Sequence, residues 1–140
     1  MGLTNTQIKP SNLQRFVVAH EGASRFSNIS YEQALSEVKK GSKSTHWIWY
    51  IFPQLKGLPV HSKPSIYYAI ENREEAKEYL NHPILRAHLI EITQAVLDTN
   101  KAAYEIFGDD AIKVKSCMKL FSSVSDIPQF KQLIKNNNWN

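Results

Sequence analysis

Apolar residues recur every three or four positions along almost the whole chain, the spacing that puts them on one face of an α-helix. The clearest run, from Ile84 to Val96, keeps this spacing over about three helical turns. The alternation of a half-buried strand never holds beyond about five residues. The sequence therefore predicts an all-α fold, a compact single-domain irregular helical bundle or α-horseshoe of roughly six to eight helices.

Helix-start signals divide this pattern into separate helices. Ser30, followed by Gln33, and Asn72, followed by Glu75, are typical of residues that cap a helix at its first turn. Pro83 favours a new helix, because proline fits the first helical position, where its missing N–H is not needed. Each of these residues precedes a stretch of apolar side chains at helical spacing.

Length and composition indicate one domain. A chain of 140 residues with 42% hydrophobic and 21% charged side chains can bury a core without disulfides or metals. It contains no linker rich in proline or glycine that would divide it. We predict a flexible N-terminus at 1–10, a single all-α domain at 11–135 and a disordered tail at 136–140.

The charge pattern and the single cysteine narrow the functional classes. The net charge is +4, but lysine and arginine form no cluster, so the sequence does not predict a nucleic-acid binder. The longest apolar run, Trp47 to Phe52, is far shorter than the roughly 20 residues that span a bilayer, so no membrane segment is predicted. Cys117 has no cysteine partner, so nothing indicates an oxidising compartment and we expect a cytoplasmic protein.

The segment from His46 to Leu55, HWIWYIFPQL, is unusually rich in aromatic residues. The prolines and the glycine that follow rule out a long helix, so irregular backbone must lie between packed helices, a common place for sites. If the segment is helical, it has two largely apolar faces. They comprise His46, Trp49, Tyr50 and Pro53 on one side and Trp47, Ile48, Ile51, Phe52 and Leu55 on the other.

The chain resembles a known family in several of its short motifs. They are Leu13–Phe16, Gly41–Lys43, His46–Leu55, Gly57-Leu58, Tyr68–Ile70, Glu75-Ala76, Tyr79–Pro83 and Ile106–Gly108. Together they resemble the mainly bacterial domain-of-unknown-function family 1810, sometimes labelled calpastatin-like, over roughly residues 11 to 134. The resemblance implies a compact all-α fold but no reaction. Calpastatins are disordered inhibitors, whereas this chain has the apolar pattern of a preformed core, so we do not transfer that function.

The chain departs from the family pattern in two places. Residues 57–62 read Gly-Leu-Pro-Val-His-Ser, where the resemblance implies Gly-Leu-Gly and a serine-containing turn. Ser116–Phe121 contains Lys119, where the resemblance implies threonine. The C-terminal extension that the resemblance implies is also cut short at Asn140. Any family site at that end is therefore altered here.

The side chains around the aromatic segment predict a binding site for a small anionic or nucleotide-derived metabolite. Its candidate ligand-binding residues are Arg15, Lys43, His46, Trp47, Trp49, Gln54 and Tyr68. Indole rings can stack on a ligand, and arginine and lysine can pair with its anionic groups. His46 is the candidate acid or base if the domain catalyses a reaction.

The alternative interpretation is a non-enzymatic helical module that binds a protein partner, with segment 46–55 as structural core. The sequence does not decide between enzyme and binding protein, and it indicates no cofactor. The five histidines show no metal-ligand spacing, so no metal site is predicted. Phosphate-binding loops and the nucleophile elbow of hydrolases are also absent as motifs.

Overall fold

The computed structural model describes residues 12–57 and 62–140. These residues form helices joined by short connections, which confirms the predicted all-α fold. The helices are α1 (Gln14–Val18), α2 (Tyr31–Lys39), α3 (Ile48–Ile51), α4 (Lys63–Tyr67), α5 (Arg73–Asn81), α6 (Pro83–Asp98), α7 (Ala103–Phe107), α8 (Ala111–Ser123) and α9 (Pro128–Asn136). A π-helical turn, Ala19–Ala23, follows α1, and a 3₁₀ turn, Gly108–Asp110, joins α7 to α8.

Two sequence expectations concern segments that are not fully described. The predicted flexible N-terminus, 1–10, lies outside the described residues, and so does most of the departure from the family pattern at 57–62. Within the described ranges, no helix is both long enough and apolar enough to cross a bilayer.

Three helices begin where the capping residues predict. The Ser30 hydroxyl accepts the N–H of Gln33 at 3.2 Å, and the Asn72 side chain accepts the N–H of Glu75 at 2.9 Å. His82 Nδ1 accepts a backbone N–H at 3.3 Å at the start of α6. Each bond satisfies an N–H that the first turn of a helix would otherwise leave free.

Helix α6 is the centre of the packing. It contacts α2, α5 and α9, while α8 packs against α5 and α9. The side chains that α6 buries recur at helical spacing, among them Leu85, Leu89, Ile92 and Val96. The periodic pattern in the sequence is therefore the face of α6 that the other helices cover.

The aromatic segment forms only one helical turn, α3, so the predicted division into two faces is wrong. Trp47 has an extended φ of −155°, and Pro53 follows the turn closely, so a longer helix cannot form. Residues from both predicted faces are buried together, including Trp47, Tyr50 and Phe52 at 0% exposure. Most of this segment is therefore core, as the alternative interpretation expects.

The backbone after α3 is held by one isolated parallel bridge between Leu55 and Ile70. The Ile70 N–H donates to the Gln54 carbonyl at 2.7 Å, and the Lys56 N–H donates to the Ile70 carbonyl at 2.8 Å. The bridge fixes segment 54–56 beside the residues that follow α4.

The C-terminal residues are tied to the rest of the fold. The Asn137 side chain accepts the N–H of Ala103 at 2.9 Å, and the Trp139 N–H donates to Ile134 at 3.0 Å. Trp139 is partly buried against the core. These contacts carry the helical domain past the predicted boundary at 135, because an indole with apolar neighbours gains from leaving water.

Tyr79 carries a buried hydroxyl with no hydrogen-bond partner among the described residues. Its side chain is fully buried, and its ring lies edge-on to Phe16. We expect Tyr79→Phe to keep or raise the free energy of unfolding, by up to about 1 kcal/mol, because it removes an unsatisfied polar group. The control is Tyr50→Phe, which loses a hydroxyl that donates to the Ile29 carbonyl at 2.6 Å. That variant should lose about 1 kcal/mol in urea unfolding, and equal losses in both variants would contradict the prediction.

Candidate functional site

The Trp49 cavity is a cleft of about 370 Å³ beside the bridged segment 54–57. Trp49 from α3 and Tyr68, which directly follows α4, supply its aromatic wall, and Gln54 supplies an amide. Leu55 and Ile66, which also line the cavity, are 38% and 63% exposed. The cavity is therefore mainly apolar with a few polar groups, as small-molecule sites usually are.

The indole N–H of Trp49 is buried without an acceptor among the described residues. The residue as a whole is half-buried and lines the cavity. A buried donor without a partner costs about 1–3 kcal/mol, so it is uncommon in a core and needs an explanation.

Tyr68 is a rigid part of the cavity wall. Its side chain is 2% exposed, and its hydroxyl lies 2.6 Å from the Ser24 hydroxyl. Burial raises the pKa of Tyr68, although the hydrogen bonds at its hydroxyl oppose this shift. The phenol therefore stays protonated at neutral pH and can serve as a wall and hydrogen-bonding group.

The charged groups of the cavity are Lys56 and Glu71, which form an ion pair with each other. Both side chains are more than half exposed, so the pair contributes little to stability. An anionic ligand group could therefore compete with Glu71 for the ammonium at small cost.

Arg15 is not directed to this cavity. Its Nε donates to the Tyr67 carbonyl at 2.9 Å, and its two terminal nitrogens donate to the Asn12 and Ala69 carbonyls and to both oxygens of Glu75. All five N–H groups thus have protein acceptors. The guanidinium, 7% exposed, ties α1 to the end of α4 and to α5.

Lys43 and Trp47 belong to a second polar cluster. Lys43 pairs with Asp110 at 2.9 Å and lies 5.1 Å from the Trp47 ring centroid. The Trp47 indole donates to Glu37 at 2.9 Å. Burial would raise the pKa of Asp110, but hydrogen bonds from Lys43 and Lys113 outweigh it and lower this pKa. Both predicted ligand-binding side chains are therefore engaged within the protein.

His46, the candidate catalytic residue, is exposed and has no side-chain hydrogen bond or ion pair within the described part of the chain. The structure thus brings three of the predicted residues together, Trp49, Gln54 and Tyr68. The groups that these residues bring to the cavity are two aromatic rings and an amide, which are suited to binding a ligand.

Sequence reasoning missed a pair of histidines, the buried His20 and the partly buried His88. His20 Nδ1 and His88 Nδ1 are 2.8 Å apart, and His20 Nε2 lies 2.8 Å from the Tyr50 carbonyl. The Tyr31 ring stacks on His88 at 3.7 Å, and its hydroxyl donates to Glu91 at 2.6 Å. Because 68 positions separate the histidines, no local spacing could reveal the pair.

Glu37 was missed as well, although the sequence holds a signal for it. This carboxylate is 3% exposed and organises the loop before α3. It lies three positions after Ala34 and one before Val38, both on the buried face of α2. An acidic residue in an apolar stripe indicates a carboxylate that the fold must satisfy.

A family model and a solved structure each match nearly the whole chain. A family model described as "Protein of unknown function (DUF1810)" matches residues 10–138. The crystal structure of the conserved hypothetical protein Rv1873 from Mycobacterium tuberculosis is similar, with a TM-score of 0.83 and 34% identity, over 93% of this chain and 89% of that one. No curated protein matches. Neither description gives an activity.

Proposed function

This chain belongs to the DUF1810 family, as its motifs predict, and since the family description gives no activity, we propose from the site itself that the protein binds a small planar metabolite in the Trp49 cavity. We expect a nucleotide-derived or otherwise anionic molecule of the cytoplasm. The buried indole N–H at the cavity wall is the main support, because a hydrogen-bond acceptor on the ligand would satisfy it.

The size and composition of the cavity support this class of ligand. A volume of about 370 Å³ falls within the roughly 300–1,000 Å³ typical of small-molecule sites. An aromatic ring of the ligand could pack against Trp49 or Tyr68, and the Gln54 amide can both donate and accept a hydrogen bond. This combination is suited to a heterocycle that carries its own donors and acceptors.

The anionic part of the proposal depends on Lys56. Arg15 and Lys43 are neutralised by Glu75 and Asp110, so they do not supply charge to this cavity. Lys56 lines the cavity, and its ammonium pairs with the exposed carboxylate of Glu71. A phosphate or carboxylate on the ligand would replace Glu71 as its partner.

The test is a thermal-shift screen of nucleobases, nucleosides, nucleotides and phosphosugars, followed by isothermal titration of the compounds that bind. A ligand at 100 times its Kd should add about 2.7 kcal/mol to stability. We expect Trp49→Phe, which keeps an aromatic wall without the N–H, to weaken binding about tenfold with little change in the melting temperature of the free protein.

Two glutamine variants complete this test. Gln54→Ala should weaken binding about three- to tenfold, again without loss of stability. The matched control is Gln94→Ala on the exposed face of α6, which should bind like the wild type. Unchanged affinity in both Trp49→Phe and Gln54→Ala, or a panel without a single binder, would contradict the proposal.

The exposed apolar rim favours a second candidate, a non-enzymatic module that binds a protein partner. Ile66 and Leu55 present apolar surface at the mouth of the cavity, where a partner side chain could insert. A silent metabolite panel would favour this candidate, whereas a bound metabolite that loses affinity in Gln54→Ala would not.

A further inference from the structure

A second cavity, the Arg25 cavity, lies beside Tyr67 and Tyr68 and has a volume of about 260 Å³. Tyr68 contributes to the walls of both cavities. The polar lining of the second one consists of the two arginines Arg15 and Arg25 and the amides of Asn12 and Gln14. None of its described lining residues is acidic. The charge of its lining therefore favours an anion over a cation.

The Arg25 guanidinium is positioned by aromatic rings but not by acceptors. It lies 5.1 Å from the Tyr67 ring centroid and 5.8 Å from that of Phe26. In residues 12–57 and 62–140 the side chain has no hydrogen bond or ion pair. Contact with the rings uses none of the N–H groups of the guanidinium, so these can bind a planar pair of oxygens.

The turn that carries Arg25 is itself fixed to the cavity wall. The Ser24 hydroxyl lies 2.6 Å from the Tyr68 hydroxyl and accepts the N–H of Phe26 at 3.3 Å. Tyr68 is buried and packs against the Phe16 ring at 5.7 Å. The backbone that carries the arginine is therefore fixed before any ligand arrives, which reduces the entropy lost on binding.

The positive charge of Arg25 has no carboxylate partner among the residues that the structure describes. The nearby Arg15 is balanced by Glu75, and all five of its N–H groups have acceptors. Arg25 thus adds a net charge to a cavity that also offers two neutral amides. Such a set of groups attracts an oxyanion, and an arginine fork can bind two of its oxygens.

We infer that the Arg25 cavity binds the phosphate group of a small phosphate monoester, through the guanidinium of Arg25 and the amides of Asn12 and Gln14. This site goes beyond the proposed function, because it does not depend on what occupies the Trp49 cavity. A carboxylate offers the same pair of oxygens but carries less charge, so it should bind more weakly.

The experiment is an NMR titration of the full chain with inorganic phosphate at constant ionic strength, with chloride and acetate titrations in parallel. The Arg25 Nε–H signal should shift with a saturable curve in phosphate, weakly in acetate and not in chloride. Arg25→Ala should weaken phosphate binding by at least about tenfold. Because this variant lacks the Nε–H signal, its binding is measured from the shifts of the backbone amides of Ala23 and Ser24. Because Arg25 is exposed, this variant should keep the melting temperature of the wild type.

Arg86→Ala is the matched control, since Arg86 is an exposed arginine of α6 without an aromatic neighbour in the described structure. It should bind phosphate like the wild type, and Arg25→Lys, which keeps the charge without the fork, should bind with intermediate affinity. A linear, unsaturable shift, the same response to chloride, or equal losses in Arg25→Ala and Arg86→Ala would overturn the inference. Saturable binding of acetate without phosphate would overturn the choice of phosphate.

Discussion

Replacing Glu37 with alanine is expected to lower the free energy of unfolding by about 3–5 kcal/mol. The carboxylate accepts hydrogen bonds from the N–H groups of Ser44 and Thr45 at 2.8 and 3.0 Å, from the Thr45 hydroxyl, from the Gln33 amide at 3.0 Å and from the Trp47 indole at 2.9 Å. Alanine leaves the buried Trp47 indole N–H without a partner, which alone costs about 1–3 kcal/mol, and it also removes the acceptor of the partly buried bonds from Ser44, Thr45 and Gln33.

Urea unfolding at pH 7 measures this loss. The control is Glu32→Ala, since Glu32 is exposed on the same helix, and it should change stability by no more than about 0.5 kcal/mol. Glu37→Gln should also be destabilised, because its NH₂ group faces donors where the carboxylate had a second acceptor. A Glu37→Ala protein as stable as Glu32→Ala would show that water replaces the carboxylate.

The same carboxylate has a pH signature. Burial would raise the pKa of Glu37, but the hydrogen bonds from Gln33, Thr45, Trp47 and Ser44 outweigh it and lower the pKa from 4.5 to about 2. As the pH falls, Glu37 is therefore protonated at a higher pH in the unfolded chain than in the folded chain. The contribution of ionised Glu37 to the free energy of unfolding is fully present above about pH 4.5 and is lost as the pH falls towards 2.

Glu37 also explains why one tryptophan of the aromatic segment is core while the other lines a cavity. Its bond to the Trp47 indole allows that tryptophan to be fully buried as core. Trp49, two positions later, has no such partner within the described residues and lines a cavity. The two indoles therefore differ in their surroundings, because within the described residues only that of Trp47 has an acceptor.

The helical framework could be predicted because its causes are local. Apolar spacing determines the buried face of α6, and Ser30, Asn72 and His82 each bond to an N–H three residues ahead. Such interactions depend on residues within one or two turns of each other. A single sequence therefore carries enough information to place them.

The site could be predicted only in part, because its polar groups choose partners that are distant in the chain. The sequence predicts Arg15 as a ligand-binding residue, but in the structure this side chain pairs with Glu75, 60 positions away. Lys43 likewise pairs with Asp110 across the fold. Which cation faces a cavity and which is neutralised by the protein depends on tertiary packing, and no local pattern encodes it.

Lowering the pH from 6.5 to 4 is expected to cost about 3 kcal/mol of stability through His20. Burial lowers the pKa of His20 to about 4, the hydrogen bond to the Tyr50 carbonyl opposes this shift, and the charges of His88 and His82 add to it. The unfolded chain therefore binds a proton near pH 6.5, where the folded chain does not. The loss develops as the pH falls through 6.5 and levels off below about pH 4, where folded His20 is protonated as well.

The geometry explains why the buried histidine stays neutral. His20 Nε2 faces a carbonyl and must carry a proton, so Nδ1 of neutral His20 is the acceptor and His88 Nδ1 is the donor. A second proton on His20 would place two N–H groups 2.8 Å apart unless His88 moved its own proton from Nδ1 to Nε2. Burial lowers the pKa of His88 too, although Glu91 and Glu32 oppose that shift, so His88 adds to the acid sensitivity.

The variant His20→Gln isolates the contribution of His20 to the pH dependence of stability from those of the other titrating groups. Its amide can still donate to the Tyr50 carbonyl but takes up no proton, so its stability should change by about 3 kcal/mol less than that of the wild type between pH 6.5 and 4. The control is His46→Gln at an exposed position, which should follow the wild-type curve. Denaturant unfolding at several pH values in this interval measures both slopes. Equal slopes for His20→Gln and the wild type would mean that folded His20 is already protonated near pH 6.5, and the neutral, buried pair would then be wrong.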